Sequence, residues 1–523
     1  MKVLLVGWGC NNKKDSAMYQ VFYTMLKRIF PDIDRFDSKE KYFQYGKDDM
    51  NNQLLNYLKI NKFDMIIFAM DEDEFYPKTI LSIEKTMPNT KKVFWITDDD
   101  TRFEHYSRYY ALLFDAVITV TTPYYVKLYN QDGINNVYFH MGYNCYNVKK
   151  LEEDKKYDLT FIGRPKADRN DVIEYLLDKG ININVFGFDW YKYPKLKNIY
   201  LGPLDEVGYN KVINQSKINL CFSNTGYSEE VKRYNLKGKC FEIALTSSFQ
   251  LLEDYSEIFD FFKKDKEIVT FKNKEDLYNK IKYYLKNERE REYIAKGSYN
   301  RVITEHDREN QLREIFTKII NTPKEKIRIN KSEKKSLLLT KEDLLDVNIK
   351  EKLKDYDYVH FGGGELKKQI QIYSLEKTKK NISCCDYYVG SNYMRLRTYF
   401  AFKRLGKEAN KLINLEQLMF TKSFFLDNIS KINKEDLLNN KNTAFVSIPF
   451  ITLNKLNKID YNSMLKAFDM TFLKYLVALK YQKRLSTSFP YKLLKPFSIR
   501  YLVSSYFDKH NRDKLKLNDI YLK

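Results

Sequence analysis

The sequence predicts an α/β protein built from two doubly wound, Rossmann-like domains in tandem, followed by a mostly helical C-terminal region. Three observations carry this expectation. Short apolar runs recur at intervals long enough for a crossover helix between them, as buried parallel strands require. A polar stretch, Asn147–Lys156, then interrupts the series, and the alternation restarts directly after it. Beyond the Lys-rich segment Asn321–Lys335, which contains Pro323, the pattern changes to Leu, Phe and Tyr at helical spacing.

In the first domain, residues 1–146, the expected strands are Val3–Val6, Met65–Met70, Val93–Thr97, Ala116–Thr121 and Val137–His140. The second domain, residues 157–320, offers Leu159–Ile162, Ile183–Phe186, Ile199–Leu201, Ile218–Phe222, Phe249–Leu252 and Ile268–Phe271. Helices are expected at Asp171–Lys179 and Lys274–Lys286, with one long charged helix from about Glu288 to Ile320 closing the unit. Two such domains leave a cleft at the carboxyl ends of their strands, the usual binding place in open parallel sheets. The remainder, residues 336–523, holds one strand-like run, Tyr356–Phe361, ending in Gly362, Gly363 and Gly364. From Tyr393 onward it reads as helical.

The composition sets bounds on function. The chain has 523 residues, 90 Lys+Arg against 69 Asp+Glu, and a formal charge of +21. Its 18 Gly and 11 Pro are few, and 43% of residues are hydrophobic, which excludes collagen-like and broadly disordered chains. The polar run from Asn11 to Asp15 replaces the apolar core of a signal peptide, and no long apolar window follows, so a cytoplasmic location is expected. The six cysteines show no CxxC and no zinc spacing, and they read as thiols of a reducing compartment. The positive surplus favours anionic partners. Part of it lies in Thr471–Lys523, where 12 Lys/Arg stand against 3 Asp/Glu among aromatic residues. That tail is read either as a contact for an anionic membrane face or as a solvated basic helix pair. No nucleic acid is expected, because no zinc finger, RNP-like strand or basic zipper is present.

Two constellations carry chemistry. The strand Leu159–Ile162 runs into Gly163 and Arg164, with Arg169 at the following helix; a glycine admits close backbone approach, and cations beside a helix amino terminus suit a phosphate. In Arg233–Phe249, Gly238 opens a helix on which Lys239 and Glu242 stand at i and i+3, on one face. Those two form either a surface ion pair or a ligand grip, Lys239 on a phosphate and Glu242 on ribose hydroxyls. On the other side, Asp98, Asp99 and Asp100 follow the strand Val93–Thr97. Asp98 or Asp99 is read as an acceptor-side base, against a helix-capping role for the run. His140, at a strand end, is a second cleft candidate beside the plainer reading of a satisfied histidine near the hinge. Gly7 and Gly9 point to a Gly-rich loop.

Residues of about 90–320 resemble the CgeB-type, spore-maturation-associated glycosyltransferases. The resemblance rests on Val93–Asp100 (VFWITDDD), Phe114–Val120 (FDAVITV), Leu159–Arg164 (LTFIGR), Ile183–Trp190 (INVFGFDW), Leu236–Leu245 (LKGKCFEIAL) and Lys286–Arg308. It implies the GT-B fold, with two Rossmann-like domains facing across a cleft and the nucleotide sugar bound mainly by the second. It also implies sugar transfer from a nucleotide diphosphate sugar to a glycan, lipid-linked or protein hydroxyl, with no metal and no cofactor besides the donor substrate. Glu242 would hold the donor ribose, and Arg164, Arg169, Lys237 and Lys239 its diphosphate, with Gly163 and Ser223 completing the donor-side set. The family usually follows the Glu helix with an Ala-Cys-Gly turn, whereas Leu245, Thr246 and Ser247 stand here; an acidic residue eight positions before Glu242 is replaced by Tyr234. Those departures keep a non-catalytic nucleotide or glycan binder as the alternative, ahead of a nucleic-acid binder. Asp355–Glu365 (DYDYVHFGGGE) and Ser383–Ser391 are similar to the middle of a GT-A glycosyltransferase whose metal-binding Asp triplet has become glycine.

Overall fold

The computed structural model describes residues 1–7, 22–70, 74–103, 106–141, 148–165, 168–224, 236–324, 334–340, 342–361, 368, 371–373, 375–376, 382–389, 394–396, 418–429 and 445–452. Two parallel sheets dominate it. In the first unit the strands are β1 Val3–Gly7, β2 Ile33–Asp37, β3 Met65–Ala69, β4 Lys91–Ile96, β5 Ala116–Thr119 and β6 Val137–Phe139. They lie side by side in the order β2-β1-β3-β4-β5-β6, every pairing parallel. β1 (VLLVG) is buried on both faces because the sheet is covered twice. Leu4 and Val6 enter one core with Phe68 and Phe94; Val3 and Leu5 enter the other with Ile67 and Trp95. The sequence reading missed β2. Its IDRFD run has only two apolar residues, which suffices for an edge strand covered mainly on one side.

Crossovers in this unit are α1 Thr24–Ile29, α2 Ser38–Tyr45, α3 Lys47–Ile60, α4 Pro77–Thr86, α5 Asp99–Arg102, α6 Ser107–Ala111 and α7 Pro123–Gln131. Local chemistry starts them. Asp37 caps α2 by accepting from the Glu40 amide at 3.0 Å, and proline opens both α4 and α7, where its missing N–H costs nothing.

The second unit contains β7 Tyr157–Ile162, α8 Arg169–Asp178, β8 Ile183–Phe186, α9 Glu206–Asn214, β9 Ser216–Cys221, α10 Gly238–Leu245, β10 Gln250–Glu253, β11 Val269–Phe271, α11 Lys274–Lys286 and α12 Glu288–Glu305. Its strand order is β11-β10-β9-β7-β8, again all parallel. The order reverses between β7 and β9, so the sheet's switch point lies at the carboxyl end of β7. The expected strand Ile199–Leu201 is reduced to one parallel bridge, Tyr200 to Val185. Cys221 and Cys240 are buried free thiols.

The long helix expected from Glu288 to Ile320 is two helices, because Asp307 caps a new one, α13 Arg308–Asn321, by accepting from the Asn310 amide at 2.7 Å. The break lets α13 leave the second unit and pack Leu312, Ile315, Phe316 and Ile319 onto the first sheet. Phe316 meets Phe30 edge-on at 5.0 Å. At its far end Lys91 donates to the carbonyls of Ile319, Ile320 and Thr322, the last two at 2.6 Å, satisfying groups that a helix terminus leaves open. Two Rossmann-like units, the second sending its last helix back to the first, make the GT-B arrangement.

A third sheet follows, with β12 Ser336–Leu338, β13 Tyr358–His360, β14 Ile382–Val389, β15 Met394–Leu396, β16 Leu418–Thr421 and β17 Phe445–Thr452. β12 and β13 pair parallel, β16 joins β13 and β14 antiparallel, and β17 runs parallel to β14. The expected strand Tyr356–Phe361 is β13, whereas the helical spacing read from Tyr393 onward did not anticipate β15, β16 and β17. Apolar runs of strand length are ambiguous between the two periods, and here pairing decided. The glycines Gly362–Gly364 and the basic aromatic tail Thr471–Lys523 lie outside the described residues. Among the described residues, no helix is long and apolar enough to cross a membrane.

Lys91→Met keeps the apolar stem and removes a charged donor whose hydrogen bonds are worth about 1.5–3 kcal/mol each. Hydrogen exchange should show the last turn of α13 opening at least about tenfold faster, with amides of the second sheet unchanged.

Candidate functional site

The carboxyl end of β7 opens into a cavity of ≈ 400 Å³. Ile162, Gly163 and Arg164 form one wall, and Gly187 and Phe188 after β8 form a second. Leu204, Asp205, Glu206 and Tyr209 come from the start of α9, Lys239 and Glu242 from α10, and Val148 from the linker. That volume falls in the range of small-molecule sites, roughly 300–1,000 Å³.

Glycine is required where β7 and β8 end. Gly187 has φ +121, and a Cβ there would sit 2.2 Å from the Gly163 carbonyl oxygen. The Gly163 amide donates to Phe186 at 2.9 Å, and its carbonyl accepts from Trp190 Nε1 at 2.6 Å. The two strand ends therefore touch backbone to backbone, and the rim beyond them is clear for a ligand.

Lys239 and Glu242 do share a face of α10, but they do not pair as a surface bridge. Lys239 donates to the Ile162 carbonyl and stands 5.5 Å from the Phe161 ring; burial lowers its pKa, while Cys221 acts in the opposite direction. Glu242 accepts from the Tyr209 hydroxyl. Burial first, and the Glu242 carboxylate second, push the Tyr209 phenol well above its ordinary range, so it remains the donor. Arg164 lies half-buried with its guanidinium 5.4 Å from the Phe188 ring, which is 39% exposed. Two cations, three carboxylates (Asp205, Glu206 and Glu242) and an aromatic face thus surround one small volume.

The other donor-side residues do not line this cavity. Arg169 is buried at the start of α8, donating to the carbonyls of Arg164 at 3.2 Å and Asn224 at 3.3 Å, with Phe161 and Phe222 against it. Burial lowers its pKa; Glu253 and Asp168 oppose that. In this structure it braces the loop after β7. Ser223 is fully buried, and its hydroxyl donates to the Glu253 carbonyl at 2.9 Å. Lys237 occupies the N-cap position of α10 without a side-chain cap. Of the seven donor-side residues named from sequence, Gly163, Arg164, Lys239 and Glu242 line the cavity.

On the first unit, Asp98 and Asp99 part company. Asp99 is 1% exposed: it accepts from Ser107, from Thr119 at 2.6 Å and from Tyr129 at 3.0 Å, and its amide donates to Thr121 at 2.8 Å. Burial raises its pKa to about 6 against the pull of those hydroxyls. Asp98 is exposed at the carboxyl end of β4, in the left-handed region at φ 59 and ψ 39, and gives no side-chain cap to α5. His140 is wholly buried, edge-on to Trp95 at 5.6 Å. Burial and the neighbouring Arg308 guanidinium push its pKa well below the ordinary range, so it is neutral. Gly7 ends β1, and Gly9 lies outside the described residues. Among the described residues no group of three His, Cys, Asp or Glu stands together to hold a metal ion.

Sequence reasoning missed Tyr209, Phe188, Asp205 and Glu206. Phe188 sat inside the quoted INVFGFDW run and was legible as an aromatic just past a strand. Tyr209 had no local signal, because its partner is 33 residues away on another helix.

Residues 169–317 match a family model described as glycosyl transferase-like. The match runs from α8 of the second unit into α13. No curated protein sequence matches the chain. Among solved structures, S. aureus TarM in complex with fondaparinux, alpha-GlcNAc-glycerol and UDP is 13% identical, covering 52% of this chain and 59% of that one, with a TM-score of 0.41. The chain thus spans under two thirds of TarM. Anabaena HepE in complex with UDP and glucose is 10% identical, covering 62% of this chain and 100% of that one, with a TM-score of 0.46. A glycosyltransferase from Rickettsia africae is 11% identical, covering 62% of this chain and 99% of that one, at 0.43. Each match covers only part of this chain, and the α/β architecture stands on the sheets themselves.

The Ala-Cys-Gly departure has a structural counterpart. Ser247, standing where the glycine would, adopts φ 54. The chain keeps the glycine conformation without the glycine, which costs about 1–2 kcal/mol for a residue with a Cβ. Ser247→Gly should therefore raise the unfolding free energy of this unit by about 1 kcal/mol, read as a higher urea midpoint.

Asp99 supplies a pH test. Its folded pKa of about 6 lies above the ordinary 3.8, so its protonation favours the folded chain. That contribution is fully present below 3.8 and lost as pH rises through 6. Asn in its place keeps one oxygen for Ser107 and Tyr129, and the Thr119 hydroxyl can turn to accept. Asp99→Asn should gain on the wild type by about 2 kcal/mol between about pH 4 and pH 7, measured by urea unfolding.

Proposed function

We propose that this chain is a glycosyltransferase of the CgeB type that moves a sugar from a nucleoside diphosphate sugar to a hydroxyl of a glycan, a lipid-linked acceptor or a protein. The observation that carries the reading is the cavity beside β7, where Glu242, Lys239 and Arg164 line one ligand-sized space. A carboxylate suits a sugar diol, and two cations suit a diphosphate. The glycosyl transferase-like match over residues 169–317 supports the same chemistry.

In this reading Glu242 holds the donor ribose. Arg164 and Lys239 meet the diphosphate and stabilise the charge that collects on it as the glycosidic bond breaks, so catalysis is mostly electrostatic and positional, without a metal. Arg169 and Ser223 shape the loops that carry those groups, and Lys237 adds positive potential at the start of α10. Asp98, exposed at the end of β4, takes the proton of the acceptor hydroxyl, while Asp99 anchors the turn beneath it. His140, neutral and buried, serves the hinge. The third unit, with its likeness to a GT-A fragment, assists acceptor docking, and the basic tail adds attraction to an anionic membrane face.

Titration calorimetry of the full chain with UDP, GDP, ADP and their sugars tests the reading. At least one should bind, and Glu242→Ala should weaken it by about tenfold or more. A wild-type protein that binds none of them overturns the proposal.

A further inference from the structure

We propose that Tyr209 is a positioning residue that makes the Glu242 site selective for a ribose diol over a deoxyribose. The inference rests on the donor reading of Glu242 and adds to it a second residue and a ligand class, ribonucleotides as against deoxyribonucleotides.

Tyr209 and Glu242 both line the cavity, and the phenol donates to Oε2 of the carboxylate. The phenol is itself well held. Asp205 caps α9 by accepting from the Gly208 amide at 2.7 Å, and the Tyr209 amide donates to the Asp205 carbonyl at 2.8 Å. Further along, Asn210 and Asn214 accept from the amides of Lys149 and Leu151 at 3.0 and 2.9 Å, fastening α9 to the linker. A glutamate has three rotatable side-chain bonds and reaches a ligand in many ways. With one oxygen pinned by a phenol on a fastened helix, its carboxylate takes one orientation.

Orientation matters most for a bidentate contact. A carboxylate offers about four acceptor sites over its two oxygens, so accepting from Tyr209 is compatible with accepting from both hydroxyls of a vicinal diol. Both contacts form together only if the carboxylate plane is fixed, since preorganisation removes the ordering cost. A 2′-deoxy ligand makes one such contact and gains less from the fixed plane. A site built to bond a hydroxyl also rejects the analogue that lacks it, because its acceptor is left unpaired. Tyr209 thereby acts on discrimination through Glu242.

The test is calorimetry on the full chain with UDP, GDP and ADP and with their 2′-deoxy forms, in wild type and in Tyr209→Phe. For the base that binds, the wild type should favour the ribo form by about tenfold or more, the worth of one hydrogen bond to a charged group. Tyr209→Phe should weaken the ribo form by about the same factor and leave the deoxy form within about twofold, so the ratio collapses. The ratio is read inside one sample, so any loss of folded protein cancels, and retained deoxy binding reports an intact cavity. A variant that keeps the wild-type ratio, or a wild type with equal affinity for both forms, overturns the role of Tyr209 while the donor reading stands. A wild type that binds no nucleoside diphosphate at all removes the donor reading and this inference with it.

Discussion

Lys239 donates from its ammonium to the main-chain oxygen of Ile162, the last residue of β7, and in doing so ties α10 to the end of a parallel strand. The helix has few ways to satisfy a buried cation, and the Phe161 ring beside Nζ leaves the carbonyl as its nearest partner. Because residues three apart share a helix face, fixing Lys239 fixes the direction of Glu242. The carboxylate then meets Tyr209 from α9, and the space bounded by β7, β8, α9 and α10 becomes the cavity. Close contact between the Gly163 and Gly187 backbones completes the geometry, since any side chain at Gly187 would strike the carbonyl that Trp190 holds.

The two Rossmann-like units are joined by burial and by a polar lock. α13 contributes four apolar side chains to the lower face of the first sheet, and Lys91 closes its end. Beside it Glu84 bridges Lys92 at 2.6 Å and Lys324 at 2.9 Å. Burial works to raise the Glu84 pKa, but those two ammonium groups outweigh it and hold the carboxyl below its usual range. Lys92 is completely buried, so losing Glu84 would leave an uncompensated charge in the interior. At the other end of the same contact His140 stays neutral because burial and, second to it, Arg308 disfavour its charged form.

Among the described residues, four that are not glycine hold left-handed backbone: Asp98, Asp189, Ser247 and Asp265. Asp98 and Ser247 both adopt left-handed backbone without being glycine, the first being the proposed acceptor base itself and the second following α10. Each is held by what surrounds it. Under Asp98 the Asp99 carboxylate gathers three hydroxyl donors. After Ser247 the chain drops directly into buried β10. Positions that break local preference while their neighbours obey it are where function and fold compete.

The amino-acid sequence alone determined the two parallel sheets, their approximate strands and the helix bearing Lys239 and Glu242, because buried strands and amphipathic helices write their periods locally. It also placed Gly163 and Arg164 at a strand end, where a short run of residues carries its own meaning. Tertiary structure decided the rest. β2 is an edge strand with a weak apolar pattern, α12 and α13 divide at a cap hidden in a charged run, and the third sheet depends on pairing between distant segments. In the site, Tyr209 became a partner of Glu242, Arg169 turned inward as a brace, and Asp98 separated from Asp99. Those assignments depend on which distant groups share a hydrogen bond or lose water together, and burial of that kind exists only once the chain has closed on itself.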